Sequence, residues 1–172
     1  MNQAVAISVL TTTAALLIMA GEAVLSAFNE KLLRSRGAIE PADDVINTMR
    51  WAYPGTFVAI GIEGALRGPS APDLLMLGLA VFGVAKALKI WAISSLGSRW
   101  SYRVLVVPGE PLVTSGPYRF MSHPNYLAVF GEMIGVGMIV FAPLTGAAGA
   151  VLFGRLMVAR IRVEDKALGR LK

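Results

Sequence analysis

Residues 126–158 read YLAVFGEMIGVGMIVFAPLTGAAGAVLFGRLMV, two long apolar runs separated by the short segment FAPLTGA at 141–147. Proline and glycine in that segment mark a tight turn, so the two runs are expected to form a hairpin of helices. Three further runs also approach the roughly 20 apolar residues that a bilayer crossing requires. The five expected spans are 5–28, 51–66, 74–96, 126–141 and 144–158. The sequence therefore predicts an all-α integral membrane bundle of about five transmembrane helices.

Composition supports a membrane protein and excludes several kinds of site. The chain has 172 residues, of which 55% are hydrophobic and 16% charged, and its mean hydropathy is +0.63. Soluble proteins are usually about one quarter charged. The length permits one domain, expected to cover 1–172. Because the chain has no cysteine and one histidine, disulfides, thiolate sites and multi-histidine metal sites are excluded, and no metal is expected.

The basic residues predict the orientation of the bundle. One side of it holds Lys31, Arg34, Arg36, Arg50, Arg99, Arg103, Arg119, Arg155, Arg160, Arg162, Lys166, Arg170 and Lys172. The loops of the opposite side carry Arg67 alone. Basic loops stay in the cytoplasm, so we expect the N-terminus outside and the C-terminus cytoplasmic, in a bacterial inner membrane. The net charge of +5 then reflects topology and attraction to anionic lipid, and no nucleic-acid partner is expected.

A long connection on the cytoplasmic side contains the single histidine. Residues 97–125 alternate as a strand would, but proline and glycine pairs at 108–109 and 116–117 indicate a structured loop. His123 precedes Pro124, and proline is favoured at the first position of a helix. His123 is therefore expected at the membrane surface, beside unpaired helix N–H groups that suit a polar ligand.

Two motifs carry a family resemblance. GPYRFMSHPNYLAV at 116–129 is followed, after the hairpin, by RIRVEDKAL at 160–168. Their order and spacing resemble the isoprenylcysteine carboxyl methyltransferase family of integral membrane enzymes, which carries GPY…RHPxY and RIxxEExxL. The resemblance covers about 90–172, with the catalytic motifs within about 97–172. The upstream segments EAVLSAFNEKLLRSRGAIE and GIEGAL are similar to short bacterial members.

The resemblance implies methyl transfer from S-adenosylmethionine, giving S-adenosylhomocysteine, in a pocket that faces the cytoplasm. Carried over by position, the cofactor-binding residues are Pro117, Tyr118, His123, Pro124, Tyr126, Glu164 and Asp165. The implied catalytic residues are Arg160 and Glu164. Two positions depart from the family pattern: the arginine of RHP is Ser122, and the second acid is Asp165. Arg119 and Arg103 are the candidates to replace the missing arginine.

The chemistry of a sulfonium donor agrees with these residue types. Attack by an anion neutralises charge, so a water-poor pocket that aligns the reactants favours the reaction. A carboxylate acceptor, such as isoprenylcysteine, needs no general base and can be oriented by an arginine, and it is the first choice. A phenolic or hydroxyl lipid, the second choice, must lose a proton, which His123 or a buried acid could accept. Arg160 and Glu164 lie one turn apart and share a helix face.

Three acids lie within apolar runs: Glu22, Glu63 and Glu132. Charges at such depth are costly and often mark a pocket, so we assign these three to substrate binding. The alternative is that they hold helices together by hydrogen bonding. Lys86 and Lys89 are possible partners.

Two other classes of protein remain open. One is a membrane reductase of the sterol-reductase type, distantly similar to the methyltransferases, which would bind NAD(P)H and need more arginines for its phosphates. The other is a non-enzymatic membrane protein, such as a small transporter or an assembly factor. No repeat relates the two halves, which argues against a transporter. The expected partners are a lipophilic small molecule or prenylated substrate, and membrane lipids. Small residues on the helices suit a monomer and a dimer equally.

Overall fold

The computed structural model describes residues 2–42 and 44–169. The described part contains five helices: α1 (Gln3–Ser35), α2 (Ile46–Arg67), α3 (Pro72–Leu96), α4 (Pro124–Ile139) and α5 (Pro143–Ala167). Its extended backbone is limited to one antiparallel bridge between Ile39 and Val106. The expected all-α bundle is confirmed, as is the structured loop before α4. Arg170 and Lys172, counted above among the basic residues, lie outside the described residues.

Three of the described helices, α1, α3 and α5, are long and apolar enough to cross a membrane. α4 has 16 residues, about 24 Å at 1.5 Å per residue, which is shorter than the roughly 30 Å hydrocarbon core of a bilayer. α2 has 22 residues but carries charge near both ends, at Arg50, Glu63 and Arg67. The five expected helices are therefore present, and length and composition support a crossing for three of them.

The hairpin between α4 and α5 has the tight turn that its sequence predicts. α4 ends at Ile139, and Phe141 then adopts a positive φ of 56°. The amide of Ala142 donates to the carbonyl of Gly137 at 2.8 Å. α5 begins at Pro143, where the missing N–H of proline costs no helical hydrogen bond. The hairpin therefore sets α5 against α4 and directs the end of α5 back towards the start of α4.

Helices α1 and α5 extend well beyond the apolar runs of the sequence. α1 continues to Ser35 and α5 to Ala167. The charged tail is therefore not a separate segment but the last turns of α5. Because the tail is helical, Glu164 and Asp165 have fixed positions relative to the bundle.

α1 and α2 touch closely at one end and are separated at the other. A Cβ atom on Gly61 would lie 2.2 Å from Thr12 Oγ1, and one on Gly64 would lie 2.8 Å from Ser8 Oγ. Glycine is required at both positions because the helices approach so closely there. Towards the end of α1 and the start of α2, a cavity lies between the two helices. This opening is where the bundle offers room for a ligand.

Candidate active site

The two sequence motifs meet where α4 begins and α5 ends, at the opposite end of the two helices from the hairpin. His123 Nε2 lies 3.0 Å from Asp165 Oδ1. The hydroxyl of Tyr126 donates to Glu164 Oε2 at 2.8 Å and accepts from Arg160 Nε at 3.0 Å. His123 precedes α4 directly and Tyr126 lies in its first turn, while Arg160 and Glu164 are one turn apart on α5. The structure therefore brings the loop before α4 and the charged end of α5 into one site.

The two prolines of the first motif are buried beside this site. Pro117 and Pro124 are both fully buried, and Tyr118 lies between them in the 3₁₀ turn Gly116–Arg119. Gly116 has a positive φ of 59°, and a Cβ atom there would lie 2.0 Å from Ser95 Oγ on α3. The turn is thus packed tightly on the end of α3, which fixes the path of the chain into His123.

Arg160 is buried, with 5% of its surface exposed, and it is held on three sides. Besides its bond to Tyr126, Nη1 donates to Asp44 Oδ1 at 3.1 Å and Nη2 donates to the carbonyl of Tyr102. Sequence analysis missed Asp44. An aspartate just before a helix is a familiar N-terminal cap, and nothing local indicates that it also pairs with an arginine of α5.

Two cavities meet at Arg160 and Tyr126. The loop cavity, of about 160 Å³, is lined by residues that include Trp100, Tyr118, Ser122, His123 and Glu164. The helix cavity, of about 530 Å³, lies between α1 and α2 and is lined by residues that include Met19, Ala23, Ala27, Met49 and Tyr53. Five residues line both cavities: Ser101, Arg103, Asn125, Tyr126 and Arg160. These five form a shared wall, and the larger cavity is within the range of small-molecule sites.

Two buried polar atoms at the start of α4 lack a hydrogen-bond partner among the described residues: His123 Nδ1 and Asn125 Oδ1. The nearest charged oxygen to the first is Glu164 Oε2 at 3.8 Å, which is too far for a hydrogen bond. Most buried polar atoms in proteins are paired. His123 and Asn125 both line the loop cavity, so the two unpaired atoms lie beside the space that a polar ligand there would occupy. Sequence analysis did not single out Asn125.

The acids at Glu22 and Glu132 form an ion cluster with the two lysines of α3. Lys86 Nζ lies 3.0 Å from Glu22 and 2.9 Å from Glu132. Lys89 Nζ lies 2.6 Å from Glu22 and 3.4 Å from Glu132. The predicted pairing is therefore present, and it ties α1, α3 and α4 together. Lys89 also lines the helix cavity, next to Tyr53, whose hydroxyl donates to Glu132.

Glu63 is not brought to the other candidate residues. Its carboxylate accepts from the amides of Leu144 at 3.1 Å and Thr145 at 2.6 Å, at the start of α5. It also pairs with Arg67 at 2.5 Å. These contacts are those of a helix cap, since the first amides of a helix have no partner within it. They hold α2 against the hairpin, at the end of the bundle away from His123.

The loop cavity is covered by an ion-paired clamp between two loops. Glu40, in the connection after α1, accepts from Arg103 at 2.5 Å and pairs with Arg34. Burial alone would raise the pKa of the Glu40 carboxyl, but hydrogen bonds from these two arginines lower it below its usual value. The bridge between Ile39 and Val106 joins the same two loops. The clamp thus fixes residues that line the cavity.

The beginning of the loop between α3 and α4 is also hydrogen-bonded to α1. Asn29 Nδ2 donates to the carbonyl of Trp100 at 2.8 Å, and the amide of Tyr102 donates to Ser26 Oγ at 2.8 Å. The Tyr102 hydroxyl donates to Glu22 at 3.2 Å. Burial and the charge of Glu22 together raise the pKa of Tyr102. Sequence analysis missed Asn29. The sequence of α1 alone does not distinguish a buried asparagine from one on the surface of the helix.

The two arginines proposed to replace the one at Ser122 have different positions. Arg103 lines both cavities, whereas Arg119 lies 5.9 Å from the ring centre of Phe120 and is not among the lining residues of either. Ser122 itself lines the loop cavity. The position of Arg103 therefore suits that role better. Within residues 2–42 and 44–169, no group of three or more histidine, aspartate or glutamate side chains is placed to hold a metal ion.

The structure defines a class of protein: a membrane helix bundle with a polar site at its helix ends. Paired acids, an arginine and a histidine form that site. Comparison with known proteins identifies the family. The isoprenylcysteine carboxyl methyltransferase (ICMT) family matches residues 76–170. The chain belongs to this family, which indicates a membrane methyltransferase, and the matched segment contains α4, α5 and the whole loop between α3 and α4.

Two relatives of similar length are uncharacterized proteins, and a third, longer relative is named for metal resistance. An uncharacterized protein of Bacillus subtilis, YpbQ, is 35% identical over 153 residues, covering 87% of this chain and 89% of its own length. An uncharacterized protein of Haemophilus influenzae is 26% identical and covers 86% of each chain. The nickel-cobalt-cadmium resistance protein NccN of Alcaligenes xylosoxydans xylosoxydans is 26% identical, covering 83% of this chain and 66% of its own. No solved structure matches the chain.

Proposed function

We propose that the protein is an S-adenosylmethionine-dependent O-methyltransferase that acts on a lipophilic acceptor. The observation that carries the proposal is the shared wall, in which Tyr126 and Arg160 separate the loop cavity from the helix cavity. A methyl transfer needs the donor and the acceptor held in line on either side of one point. Because Tyr126 and Arg160 border both cavities, the two cavities adjoin, and each can hold one reactant.

The loop cavity has a donor set that fits S-adenosylmethionine. The unpaired Nδ1 of His123 and the carboxylate of Glu164 belong to residues that line this cavity, and they suit the hydroxyl and ammonium groups of the cofactor. Asp165 lies outside the lining and would act through His123, whose Nε2 it contacts at 3.0 Å. Trp100 and Tyr118 offer aromatic surface for its adenine, and Trp100 is 2% exposed. When bound, the cofactor supplies an electrophilic methyl group on a cationic sulfur. The product S-adenosylhomocysteine would leave from the same cavity.

The helix cavity suits an acceptor with an apolar tail and a polar head. Alanines and methionines of α1 and α2 line its apolar part, while Arg160 and Lys89 lie at its polar end. Arg160 uses three of its five N–H donors on oxygen atoms, and Nη1 also lies 4.0 Å from Met49 Sδ. An acceptor oxygen would replace this weak sulfur contact.

Arg160 and Glu164 are the proposed catalytic residues. Arg160 would orient a carboxylate acceptor, which is our first choice and is already ionised. For a phenolic or hydroxyl lipid, our second choice, Glu164 or His123 would accept the proton as the oxygen attacks. Tyr126 holds Arg160 and Glu164 together by hydrogen bonds of 3.0 Å and 2.8 Å. This pairing keeps the guanidinium at the wall and the carboxylate towards the loop cavity.

We further propose that all five helices lie across the membrane with the N-terminus outside and the C-terminus in the cytoplasm. Four arginines gather at the end of the bundle that holds His123: Arg34 and Arg103, which pair with Glu40, and Arg36 and Arg99, which pair with Glu110. Because basic loops remain cytoplasmic, the site faces the cytoplasm. Membrane lipids are the proposed surroundings, and a bacterial inner membrane is the proposed location.

Ligand binding by the purified protein in detergent tests the proposal. We expect S-adenosylhomocysteine to raise the melting temperature, because a ligand that binds the folded state stabilises it. We expect His123→Ala to abolish this shift, while Arg155→Lys, an exposed change on α5, preserves it. A shift with NADPH instead would favour the reductase, and a shift with neither nucleotide would favour a non-enzymatic protein.

Methyl transfer itself requires a search over acceptors. We expect transfer of labelled methyl from S-adenosylmethionine to one class in a panel of lipophilic carboxylic acids, phenols and prenylcysteines presented in lipid vesicles. Arg160→Lys should abolish the transfer, because a single ammonium cannot orient an oxyanion through two parallel hydrogen bonds. Arg155→Lys should again be unchanged. Equal activity of both variants would exclude Arg160 from catalysis.

A further inference from the structure

We propose that Asp44 is the residue that positions Arg160 at the wall between the two cavities, a role that rests on the proposed methyl transfer. The side chain of Asp44 is 3% exposed, and its counterpart Arg160 is 6% exposed. A buried guanidinium requires a charge partner, because water no longer stabilises it. Asp44 is the carboxylate that touches Arg160 directly, whereas Glu164 reaches it through the hydroxyl of Tyr126.

The carboxylate of Asp44 joins three segments that are distant in sequence. Oδ1 accepts from Arg160 Nη1 at 3.1 Å and from the amide of Ile46, at the start of α2, also at 3.1 Å. Oδ2 accepts from the amide of Val104 at 3.2 Å. Ile46 lines the helix cavity and Val104 lines the loop cavity. One side chain therefore sets the positions of both cavities relative to the arginine between them.

The other two anchors of Arg160 are uncharged. Tyr102 offers a carbonyl oxygen and Tyr126 a hydroxyl, and neither balances the charge of the guanidinium. Without the charge of Asp44, the nearest remaining carboxylate is Glu164, which already accepts from Tyr126 at 2.8 Å. The guanidinium would then turn towards Glu164 and away from Met49 in the helix cavity. Asp44 thus directs the arginine to the acceptor side of the wall.

Asp44 acts through Arg160 and is not itself among the residues that line either cavity. The variant Asp44→Asn removes the charge and can keep the cap, because its amide oxygen can still accept from the amide of Ile46. Its amide nitrogen cannot accept from the amide of Val104, so that hydrogen bond is lost. We expect kcat for methyl transfer to fall about tenfold or more, as in other cases where a reacting group is displaced. We expect the affinity for S-adenosylhomocysteine to change by less than about threefold, since Asp44 contacts neither His123 nor Glu164, the residues proposed to bind the polar groups of the cofactor.

Asp73→Asn is the matched control. Asp73 also lies at a helix start, in the first turn of α3, where it is exposed. The same chemical change there should leave kcat and cofactor affinity unaltered. A fall in kcat for Asp73→Asn as large as that for Asp44→Asn would show a general effect of charge removal and would overturn the proposal.

A double-mutant cycle with Arg160→Lys distinguishes positioning from general stability. If Asp44 acts through Arg160, then adding Asp44→Asn to Arg160→Lys should change kcat by less than about threefold, whereas the single change costs about tenfold or more. Additive effects would overturn the proposal. Where turnover of Arg160→Lys is below detection, the same cycle is read from melting temperatures, and additivity there has the same meaning.

The melting-temperature cycle also separates this proposal from the proposed function. If the wild-type protein binds no S-adenosylhomocysteine and transfers no methyl group, the proposed function fails. Coupled effects of Asp44→Asn and Arg160→Lys on melting would still support Asp44 as the residue that holds Arg160. Independent effects would overturn that role whether or not methyl transfer is observed.

Discussion

Arg160 Nε donates to the hydroxyl of Tyr126 at 3.0 Å, and this bond joins α5 to α4 at the wall between the two cavities. The same hydroxyl donates to Glu164, so Tyr126 is the link between the two proposed catalytic residues. Helical spacing makes the link possible, since Arg160 and Glu164 lie one turn apart and face the first turn of α4. The order of the two sequence motifs is thereby explained by a single contact.

Removing the hydroxyl of Tyr126 should lower both activity and stability. In Tyr126→Phe, the ring still packs, but Arg160 and Glu164 each lose a hydrogen-bond partner, at a cost of about 1–3 kcal/mol for an unsatisfied buried group. We expect kcat/KM for methyl transfer to fall about tenfold or more, because Arg160 is no longer held in line with the acceptor. Unchanged kcat/KM, measured beside a circular-dichroism check of folding, would show that the link is not used.

The sequence predicts the helices more completely than it predicts the contacts of the site. Apolar runs and turn residues predict five helices and the hairpin, because both depend on local composition. The sequence also allows the two motifs to meet, since both are expected at the same membrane face, and the contact of His123 with Asp165 joins them. The pairing of Asp44 with Arg160 does not follow, because 116 residues separate them and only the packed bundle joins them.

The role of Glu63 shows the same limit. The end of α5 does not, because the expected helix face shared by Arg160 and Glu164 lies in the last turns of that helix. Glu63 was assigned to a pocket because an acid in an apolar run is costly. Its partners, the free amides of Leu144 and Thr145, exist only when α2 lies against the hairpin, so the sequence of α2 alone cannot indicate a cap.

The clamp over the loop cavity should weaken in acid. The pKa of Glu40 is lowered from 4.5 by its arginine partners, so its contribution to stability is complete above about pH 4.5 and is lost as pH falls through the lowered value. Glu40→Gln should remove this pH dependence and lower the melting temperature at pH 7 by about 2 °C, as expected for a partly exposed ion pair. Melting curves between pH 3 and 7 measure both effects.

Glu30→Gln is the comparison for Glu40. Glu30 also pairs with Arg103, at the longer distance of 3.3 Å, and it lies on α1 rather than in the clamp. We expect a smaller loss of stability from this change. If the two variants lose stability equally and show the same pH profile as the wild type, Glu40 does not fasten the two loops.

Loss of one charge from the cluster of Glu22, Glu132, Lys86 and Lys89 should lower stability more than loss of one acid together with one lysine. In Lys89→Met, Glu22 and Glu132 are left with Lys86 as their only lysine partner. An unbalanced buried charge costs about 3–5 kcal/mol, so the melting temperature should fall strongly. Lys89→Met combined with Glu132→Leu restores neutrality and should recover part of the loss. A double variant that melts below both single variants would mean that the cluster is not held by charge balance.

The width of the helix cavity should select the acceptor. Ala23 lines this cavity on α1, and the neighbouring Val24 is 73% exposed and points away from the bundle. Ala23→Phe would fill space between α1 and α2, so we expect KM for long-chain acceptors to rise about tenfold while the affinity for S-adenosylhomocysteine stays unchanged. Val24→Phe adds a similar bulk towards lipid and should alter neither. Equal effects of both substitutions on KM would place the acceptor elsewhere, because only Ala23 borders the space between the helices.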